Sequence, residues 1–229
     1  MSGDLVDTTE MYLKAIYELE EEGVPPLRAR LVERLGQSKP TVSETVARLE
    51  RDGLLTIVGA RTIELSAKGR RQATTVMRKH RLAERLLLDV IKAPWVDIHD
   101  EACRWEHVIS DDVEEKIATL LHGVSEDPFG NPIPARESAG PGRQAAGPSG
   151  LVRTVDFLKE NPEGGHCTLA RIGEVLQTDA TLLGEFEKAG VVPGMEVEIR
   201  PELNGAWAIV GPEGSLELTP WTQSHLLVK

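Results

Sequence analysis

The sequence predicts a mainly α-helical protein with a small β component: an N-terminal winged helix-turn-helix, a helical middle part and a small C-terminal β-barrel. Three observations support this order. Capping residues and glycines divide the N-terminal part into three short helices and a hairpin. Apolar residues then keep helical spacing as far as Gly123. Beyond a stretch rich in Pro, Gly, Ala and Ser, short apolar runs are separated by Gly and Pro, which is typical of strands.

The first three helices are bounded by clear signals. A helix over 7–23 and a shorter one over 27–36 each end at a glycine. Ser38 can cap the third helix, Pro40 fits its first turn, and Gly53 ends it. The tight turn between the second and third helices predicts a helix-turn-helix, whose second helix can enter the major groove of DNA.

A hairpin is predicted directly after these helices. The runs Leu54–Val58 and Thr62–Leu65 are rich in β-forming residues and flank Gly59-Ala60, with Arg61 at the tip. Three helices followed by a hairpin is the order of a winged helix. An ordinary small helical domain is the alternative that this pattern alone leaves open.

The charge distribution supports a DNA-binding surface. The whole chain has a net charge of −11, yet residues 27–85 carry 14 Lys and Arg against 6 Asp and Glu. A basic segment within an acidic protein is expected where one surface meets phosphates. Charge alone fits a solvated basic helix face equally well.

The middle part is predicted to be helical and to bind metal. A long helix over 66–91 precedes Pro94, a second helix opens at Asp100, and a third, capped by Ser110, closes at Gly123. Their apolar surface exceeds what one small domain needs, so we expect a dimer interface. A monomer in sedimentation experiments with metal present would contradict this expectation.

Metal-binding side chains are concentrated between residues 80 and 107. Cys103, Glu106 and His107 have the spacing of one helix face. Their sulfur, oxygen and nitrogen donors suit late first-row divalent ions better than calcium or magnesium. A second group with imidazole and carboxylate donors consists of His80, Glu84 and His99.

Each of these side chains has a structural explanation when taken alone. A cysteine is usually a small buried hydrophobic residue, and Met11 by itself would most often fill a core. His80 with Glu84 fits a surface ion pair, and His107 fits a satisfied polar network. Their combination beside a winged helix favours a metal site.

The C-terminal part differs in character from the rest. Residues 134–150 have the composition of a linker. Five strands and one helix, over 179–189, are predicted beyond it; the strands are His166–Ile172, Met195–Arg200, Ala206–Val210, Ser215–Leu218 and His225–Val228. The predicted domains are 1–73 (DNA-binding), 74–140 (metal-binding and dimerisation), 141–150 (linker) and 151–229 (β-barrel).

The compartment is predicted from what the sequence contains. Cys103 and Cys167 are too few for a disulfide scaffold and suit a reducing cytosol. No apolar run approaches a membrane span, and MSGDLVDTTE lacks the features of a signal peptide. We therefore expect a cytoplasmic protein without membrane partners.

The chain resembles the diphtheria toxin repressor and iron-dependent regulator family of metalloregulators over nearly its whole length. The resemblance is strongest in DLVDTTEMYLKAIYELEEEG, PTVSETVARLERDGL, VMRKHRLAERLL, HDEACRWEH and PFGNPIP. It implies a winged-helix repressor that dimerises, binds Fe²⁺ as corepressor and carries an SH3-like C-terminal domain. Palindromic operator DNA, bound by one dimer or two, and control of iron uptake and homeostasis are implied with it.

The resemblance also implies two metal sites per chain. The regulatory site would consist of Met11, Cys103, Glu106 and His107. The ancillary site would consist of His80, Glu84, His99, Glu174 and Gln177. Manganese-sensing relatives have harder oxygen ligands in place of Met11 and Cys103, so the chain resembles the iron type, with Co²⁺, Ni²⁺, Mn²⁺ or Zn²⁺ able to substitute in vitro.

The DNA and anion contacts are implied in the same way. Phosphate contacts are expected from Arg28, Arg30, Thr41, Ser43, Arg51 and Arg61, and base contacts from Ser38, Pro40 and Glu44. The best-known family member has glutamine in place of Glu44, so base readout at that position is expected to differ. Arg81 and Asn131 resemble an anion site, although its usual serine is replaced here by Asp127.

The mechanism expected from these sites is that a metal joins Met11 on the first helix to the distant donors and shifts the protein towards a DNA-binding form. The sequence leaves two other functions open. A metal-independent winged-helix repressor that senses an organic ligand would bind its operator in the presence of chelator. A metallohydrolase would need an open coordination position and a substrate cleft, and the sequence has neither H-E-x-x-H nor a phosphate-binding loop.

Overall fold

The computed structural model describes residues 7–59, 61–136, 150–203 and 205–229. They form two compact units. The first is built from the described residues within 1–83, 102–123 and 133–147, and the second from those within 84–101, 124–132 and 148–229. The predicted linker 141–150 lies outside the described residues except for Gly150.

The first unit begins with the predicted helix-turn-helix. Asp7 caps the first helix by accepting a hydrogen bond from Thr9 N at 2.8 Å, and Ser38 accepts one from Thr41 N at 3.4 Å in the third. Gly36 ends the second helix in the left-handed conformation, with φ at 61°. The three helices are α1 (Thr8–Glu21), α2 (Arg28–Leu35) and α3 (Lys39–Arg51).

The wing follows as an antiparallel hairpin of β1 (Leu55–Val58) and β2 (Thr62–Leu65). One core unites helices and hairpin, because Leu31, Leu49 and Ile63 are all fully buried. The winged helix predicted from the sequence is therefore confirmed.

The long helix after the wing is shorter than predicted. α4 spans Ala67–Arg85, and a π-helical segment, Leu86–Ile91, replaces its expected last turns. The wider turn is closed by a hydrogen bond from Ala93 N to Leu87 O at 2.9 Å. Lys92 then adopts a left-handed φ of 64°, which ends the helix just before Pro94.

The next helix also has different bounds from those predicted. A 3₁₀ turn, Trp95–Asp97, leads into α5 (Ile98–Trp105), so Glu106 and His107 follow the helix instead of lying within it. Glu106 N still donates to Ala102 O at 2.9 Å, and the chain then tightens, with Val108 N donating to Trp105 O. After Ser110, which caps it as predicted, α6 spans Asp111–Leu120.

The second unit is dominated by an antiparallel sheet of strand order β3-β8-β4-β5-β6-β7. Its strands are β3 (Val152–Arg153), β4 (Gly165–Ile172), β5 (Glu196–Pro201), β6 (Trp207–Val210), β7 (Ser215–Leu218) and β8 (Leu226–Val228). Five strands were predicted within one or two residues. His225 was predicted to begin the last strand, but it ends a helix, and β8 begins at Leu226.

Four short helices accompany this sheet, of which only one was predicted: α7 (Thr154–Glu160), α8 (Glu174–Gln177), the predicted α9 (Ala180–Lys188) and α10 (Pro220–His225). The segment 127–131 packs on β4, where a Cβ at Gly130 would lie 2.0 Å from Ala170 O. Only glycine fits there, since its φ is also +82°. Among the described residues, no helix is long and apolar enough to cross a membrane.

Candidate metal centre and nucleic-acid interface

A cluster of metal-binding side chains lies in the first unit, where α1 and α4 meet the end of α5. Glu106 is at its centre, buried to 3% exposure. His80 Nδ1 lies 2.7 Å from Glu106 Oε2, and His107 Nε2 lies 3.3 Å from Glu106 Oε1. Cys103 Sγ is 4.0 Å from His80 Nδ1. We call Cys103, Glu106, His107 and His80 the donor cluster.

The donor cluster surrounds a positive charge supplied by α1. Lys14 Nζ donates to Glu106 Oε2 at 2.8 Å and lies 3.1 Å from His80 Nδ1 and 3.7 Å from Cys103 Sγ. The lysine is buried to 7% exposure. The carboxylate of Glu106 and the thiol of Cys103 thus both lie within 4 Å of one buried cation, next to the imidazole of His80.

His107 is oriented by a second acidic residue of α1. Its Nδ1 lies 2.6 Å from Glu10 Oε2. This hydrogen bond raises the pKa of His107, although partial burial opposes the rise. In the neutral ring, the carboxylate of Glu10 holds the proton on Nδ1, so that the lone pair is on Nε2, the nitrogen near Glu106. A histidine that binds a metal through one nitrogen and donates to a carboxylate through the other has this arrangement.

One separation within the cluster, between His107 and Glu106, fits two ligands of a divalent ion. Two donors that each lie about 2.1 Å from a tetrahedral ion are about 3.4 Å apart. The 3.3 Å between His107 Nε2 and Glu106 Oε1 matches this value. Met11, the remaining predicted ligand, lies half-buried on α1 between Glu10 and Lys14, which both contact the cluster.

Glu106 remains ionised despite its burial. Burial alone would raise its pKa, but the charge of Lys14 and the hydrogen bond from His80 outweigh burial and lower the pKa to about 2. The cluster therefore contains a permanent carboxylate, the protonation state that metal binding requires.

We expect the free energy of unfolding of the metal-free protein to fall as the pH drops from 4.5, the ordinary pKa of glutamate, to about 2. The pKa of Glu106 is lower in the folded protein than in the unfolded chain. Its stabilisation is therefore complete above pH 4.5 and is lost as the pH falls towards the pKa of about 2 in the folded protein. Glu106→Gln should remove this contribution, which amounts to about 3 kcal/mol. Urea denaturation of both proteins over this range measures it, and parallel curves would contradict it.

A second group of predicted ligands comes together in the second unit. His99 Nδ1 lies 3.1 Å from Glu84 Oε1 and 4.0 Å from Glu174 Oε2. Gln177, one turn after Glu174 on α8, donates from Nε2 to Ile172 O at 2.8 Å. Its Oε1 is buried and has no hydrogen-bond partner among the described residues. Two carboxylates that meet at one imidazole, with a buried amide oxygen one helical turn after Glu174, are donors of the types that bind divalent cations.

The remaining predicted ligands have other contacts. His80, assigned to the ancillary site, contacts the carboxylate of Glu106 within the first unit. Arg81 forms a buried ion pair with Glu21, with NH2 at 2.5 Å from Oε2. In the second unit, Asp127 accepts hydrogen bonds from the main chain and side chain of Asn131 at 2.8 and 3.0 Å. A carboxylate beside Asn131 disfavours a bound anion.

The residues predicted to contact DNA form an accessible surface on the winged helix. α3 buries Val42, Val46 and Leu49 and turns its other face outwards. Arg28, at the start of α2, is half-buried. The other eight predicted residues are exposed: Arg30, Ser38, Pro40, Thr41, Ser43, Glu44, Arg51 and Arg61.

α1 connects this surface to the donor cluster. Tyr12 donates to Gln37 Oε1, in the turn before α3, at 2.5 Å, and Thr9 Oγ1 accepts from Arg48 of α3 at 3.3 Å. The neighbouring Glu10 and Lys14 contact the donor cluster. One stretch of α1 therefore touches both regions.

Sequence reasoning missed Glu10 and Lys14 as members of the site. The available signal was their spacing, because residues 10 and 14 are one turn apart and flank Met11 on α1. A glutamate in the first turn of a helix is common without any ligand, and a lysine is not expected among metal ligands.

Comparison with known proteins identifies the family. Residues 4–63 match the family described as iron dependent repressor, N-terminal DNA binding domain. Residues 66–135 match the iron dependent repressor, metal binding and dimerisation domain. The chain belongs to the iron-dependent repressor family. Members of this family are transcriptional repressors rather than enzymes, and the two matched regions contain the winged helix and the donor cluster.

Individual relatives are similar to this chain in sequence over most of its length. The iron-dependent repressor IdeR of Mycobacterium tuberculosis (strain ATCC 25618 / H37Rv) is 50% identical over 223 residues, which cover 97% of this chain and 96% of the relative. The diphtheria toxin repressor of Corynebacterium diphtheriae is 52% identical over 196 residues, covering 86% and 85%.

Solved structures share the architecture. A manganese-dependent transcriptional repressor in complex with manganese has a TM-score of 0.75 at 28% identity and covers 97% of this chain and 99% of its own. The crystal structure of T. acidophilum IdeR has a TM-score of 0.74 at 24% identity and covers 98% of both chains. The latter similarity concerns the fold alone.

Proposed function

We propose that this chain is an iron(II)-activated transcriptional repressor that binds palindromic operator DNA as a dimer and controls genes of iron uptake and homeostasis. The observation that carries the proposal is the position of α1, which contacts the donor cluster through Glu10 and Lys14 and the helix-turn-helix through Thr9 and Tyr12. An ion held by Met11 and by Cys103, Glu106 and His107 of the donor cluster would fix α1 and with it the recognition helix. Action on chromosomal operators implies a cytoplasmic protein.

The regulatory site of this proposal consists of Met11, Cys103, Glu106 and His107. Its thioether, thiolate, carboxylate and imidazole would bind Fe²⁺, with Co²⁺, Ni²⁺, Mn²⁺ or Zn²⁺ as substitutes in vitro. The names of the 50% identical relatives support iron as the physiological ion. Availability in the cell must contribute to selection, because intrinsic affinity favours later ions.

We further propose an ancillary metal site, which would give two sites per chain. Glu84, His99, Glu174 and Gln177 would supply it from the second unit, and His80 is assigned to it by resemblance. The proposed functional domains remain 1–73, 74–140 and 151–229, with a linker over 141–150. Arg81 and Asn131 would bind an anion only weakly, since each is bonded to a carboxylate.

Dimerisation is proposed to use the outer face of α6. Val113 and Leu120 lie two turns apart on this helix and are 45% and 51% exposed, and the nearby Val108 is 58% exposed. Apolar side chains clustered on one surface favour association with a second copy. Binding of two dimers to one operator is compatible with a palindromic site, and sedimentation of the protein–duplex complex measures the number of copies.

The direct test is anaerobic fluorescence anisotropy with a palindromic iron-box duplex, in wild type and Cys103→Ala. Wild type is expected to bind with Fe²⁺ and to lose binding in chelator, and the variant to bind in neither. One equivalent of Co²⁺ should remain in the variant, at the ancillary site. Equal binding by wild type in chelator would instead favour a winged-helix repressor that senses an organic ligand.

Glu44→Gln is expected to change operator preference at one position of each half-site. The carboxylate can accept from cytosine N4, whereas glutamine can pair with adenine, a difference of about tenfold or more in relative affinity. Selection from random duplexes measures the preference of both proteins. Glu50→Gln, another exposed glutamate of α3, is the control. Identical preferred sequences for wild type and Glu44→Gln would mean that Glu44 faces solvent.

A further inference from the structure

The ammonium group of Lys14 contacts two donors of the proposed regulatory site, Glu106 and Cys103, and the adjacent His80. Nζ lies 2.8 Å from Glu106 Oε2, 3.1 Å from His80 Nδ1 and 3.7 Å from Cys103 Sγ. These three atoms are of the types that bind divalent metals, and Glu106 and Cys103 belong to the proposed ligand set. Lysine has no acceptor and cannot itself bind a metal while it is charged.

The lysine is held in this position by burial and by ion pairing. Only 9% of its side chain is exposed, and its carboxylate partner Glu106 is 3% exposed. Charges at contact distance interact most strongly where water is excluded. A divalent ion that bound Glu106 and Cys103 would therefore meet a positive charge already bonded to one ligand and within 4 Å of the other.

We propose that Lys14 is an internal cation that competes with the divalent metal and thereby sets the metal affinity of the regulatory site. Without metal, its ammonium compensates the charge of Glu106 and keeps the donors together. On metal binding, the ammonium withdraws from Glu106 and Cys103 and moves towards solvent. The proposal rests on the proposed function, since it assumes that these donors bind the regulatory ion.

The variant Lys14→Met tests this role, because methionine keeps the length of the side chain and removes the charge. Lys14→Leu, which adds no thioether, must tighten binding equally, since a gain confined to Lys14→Met would come from a new ligand and would overturn the role of Lys14. Calorimetric titration with Co²⁺ is expected to show binding to the regulatory site that is about tenfold tighter or more, since the lost competitor is a hydrogen bond between charged groups. Lys14→Arg keeps the positive charge and should retain weak binding. Lys79→Met is the matched control, because Lys79 is on α4 next to His80 but pairs with the exposed Asp111 at 2.9 Å.

The outcomes separate this proposal from the proposed function. Wild-type affinity, or weaker binding, in Lys14→Met would overturn the role of Lys14 while leaving the metal site intact. Equal tightening in Lys79→Met would also overturn it, because the effect would then come from net charge. Failure of both wild type and Lys14→Met to bind Co²⁺ at Cys103, seen as the lack of thiolate-to-cobalt absorption, would overturn both proposals.

A second measurement needs only the wild-type protein, in case Lys14→Met does not fold. The ε-amine of Lys14 is labelled with an acylating reagent, with and without Co²⁺, and the modified residues are quantified by mass spectrometry. Labelling of Lys14 relative to Lys68, an exposed lysine of α4, is expected to rise when Co²⁺ is bound. Unchanged or lower labelling would overturn the displacement of Lys14.

Discussion

Operator DNA is expected to tighten the binding of Co²⁺ to the regulatory site by the same factor by which Co²⁺ tightens the binding of operator DNA, about 10- to 100-fold. The structural reason is α1. Its N-terminal half contacts the turn before α3 through Tyr12 and α3 itself through Thr9. The same N-terminal half of α1 contacts the donor cluster through Glu10 and Lys14. A shift of α1 thus changes both sites together.

Two titrations measure this coupling. The affinity for Co²⁺ is determined with and without saturating duplex, and the affinity for the duplex with and without Co²⁺. In Met11→Leu, which keeps apolar volume but lacks the thioether, both factors should shrink together. If DNA and Co²⁺ tightened each other's binding by unequal factors in one protein, a further binding state would be present. If neither ligand tightened the binding of the other in wild type, the role of α1 would be contradicted.

Local structure was largely predictable because its signals are local. Asp7, Ser38 and Ser110 cap helices as their residue types indicated, and Gly36 ends α2 with a positive φ. The hairpin also forms from the two predicted runs of β-forming residues. The π-helical segment after Arg85 was not predictable, because its residues continue the apolar pattern of an α-helix.

The composition of the donor cluster was only partly predictable. The residue types of Cys103, Glu106 and His107 indicated a metal site, yet their predicted basis, one shared helix face, was wrong because α5 ends at Trp105. Lys14 reaches Glu106 from 92 positions away in the chain, and Glu10 reaches His107 from 97. Helical periodicity carries no information about such partners, which depend on how α1 packs in the folded unit.

Glu21→Gln is expected to lower the free energy of unfolding of the first unit by about 3 kcal/mol, because it breaks a buried ion pair and leaves a charge behind. The guanidinium of Arg81 is fully buried and donates to both oxygens of Glu21, at 2.5 and 3.1 Å. The nearby Tyr17 reports the same surroundings, since burial, and after it the charge of Glu21, raises its pKa to about 12.

Urea denaturation of the metal-free protein measures this effect, with Glu33→Gln as the control. Glu33 pairs with Arg30 at 2.9 Å, but the two side chains are 62% and 53% exposed, so the control should change stability by less than about 1 kcal/mol. Equal losses in the two variants would mean that the Arg81 pair contributes no more than a surface pair. Because Lys14 in the middle of α1 and Glu21 at its C-terminal end both pair with buried charges, a large loss in Glu21→Gln would also identify the C-terminal end of α1 as its metal-independent anchor.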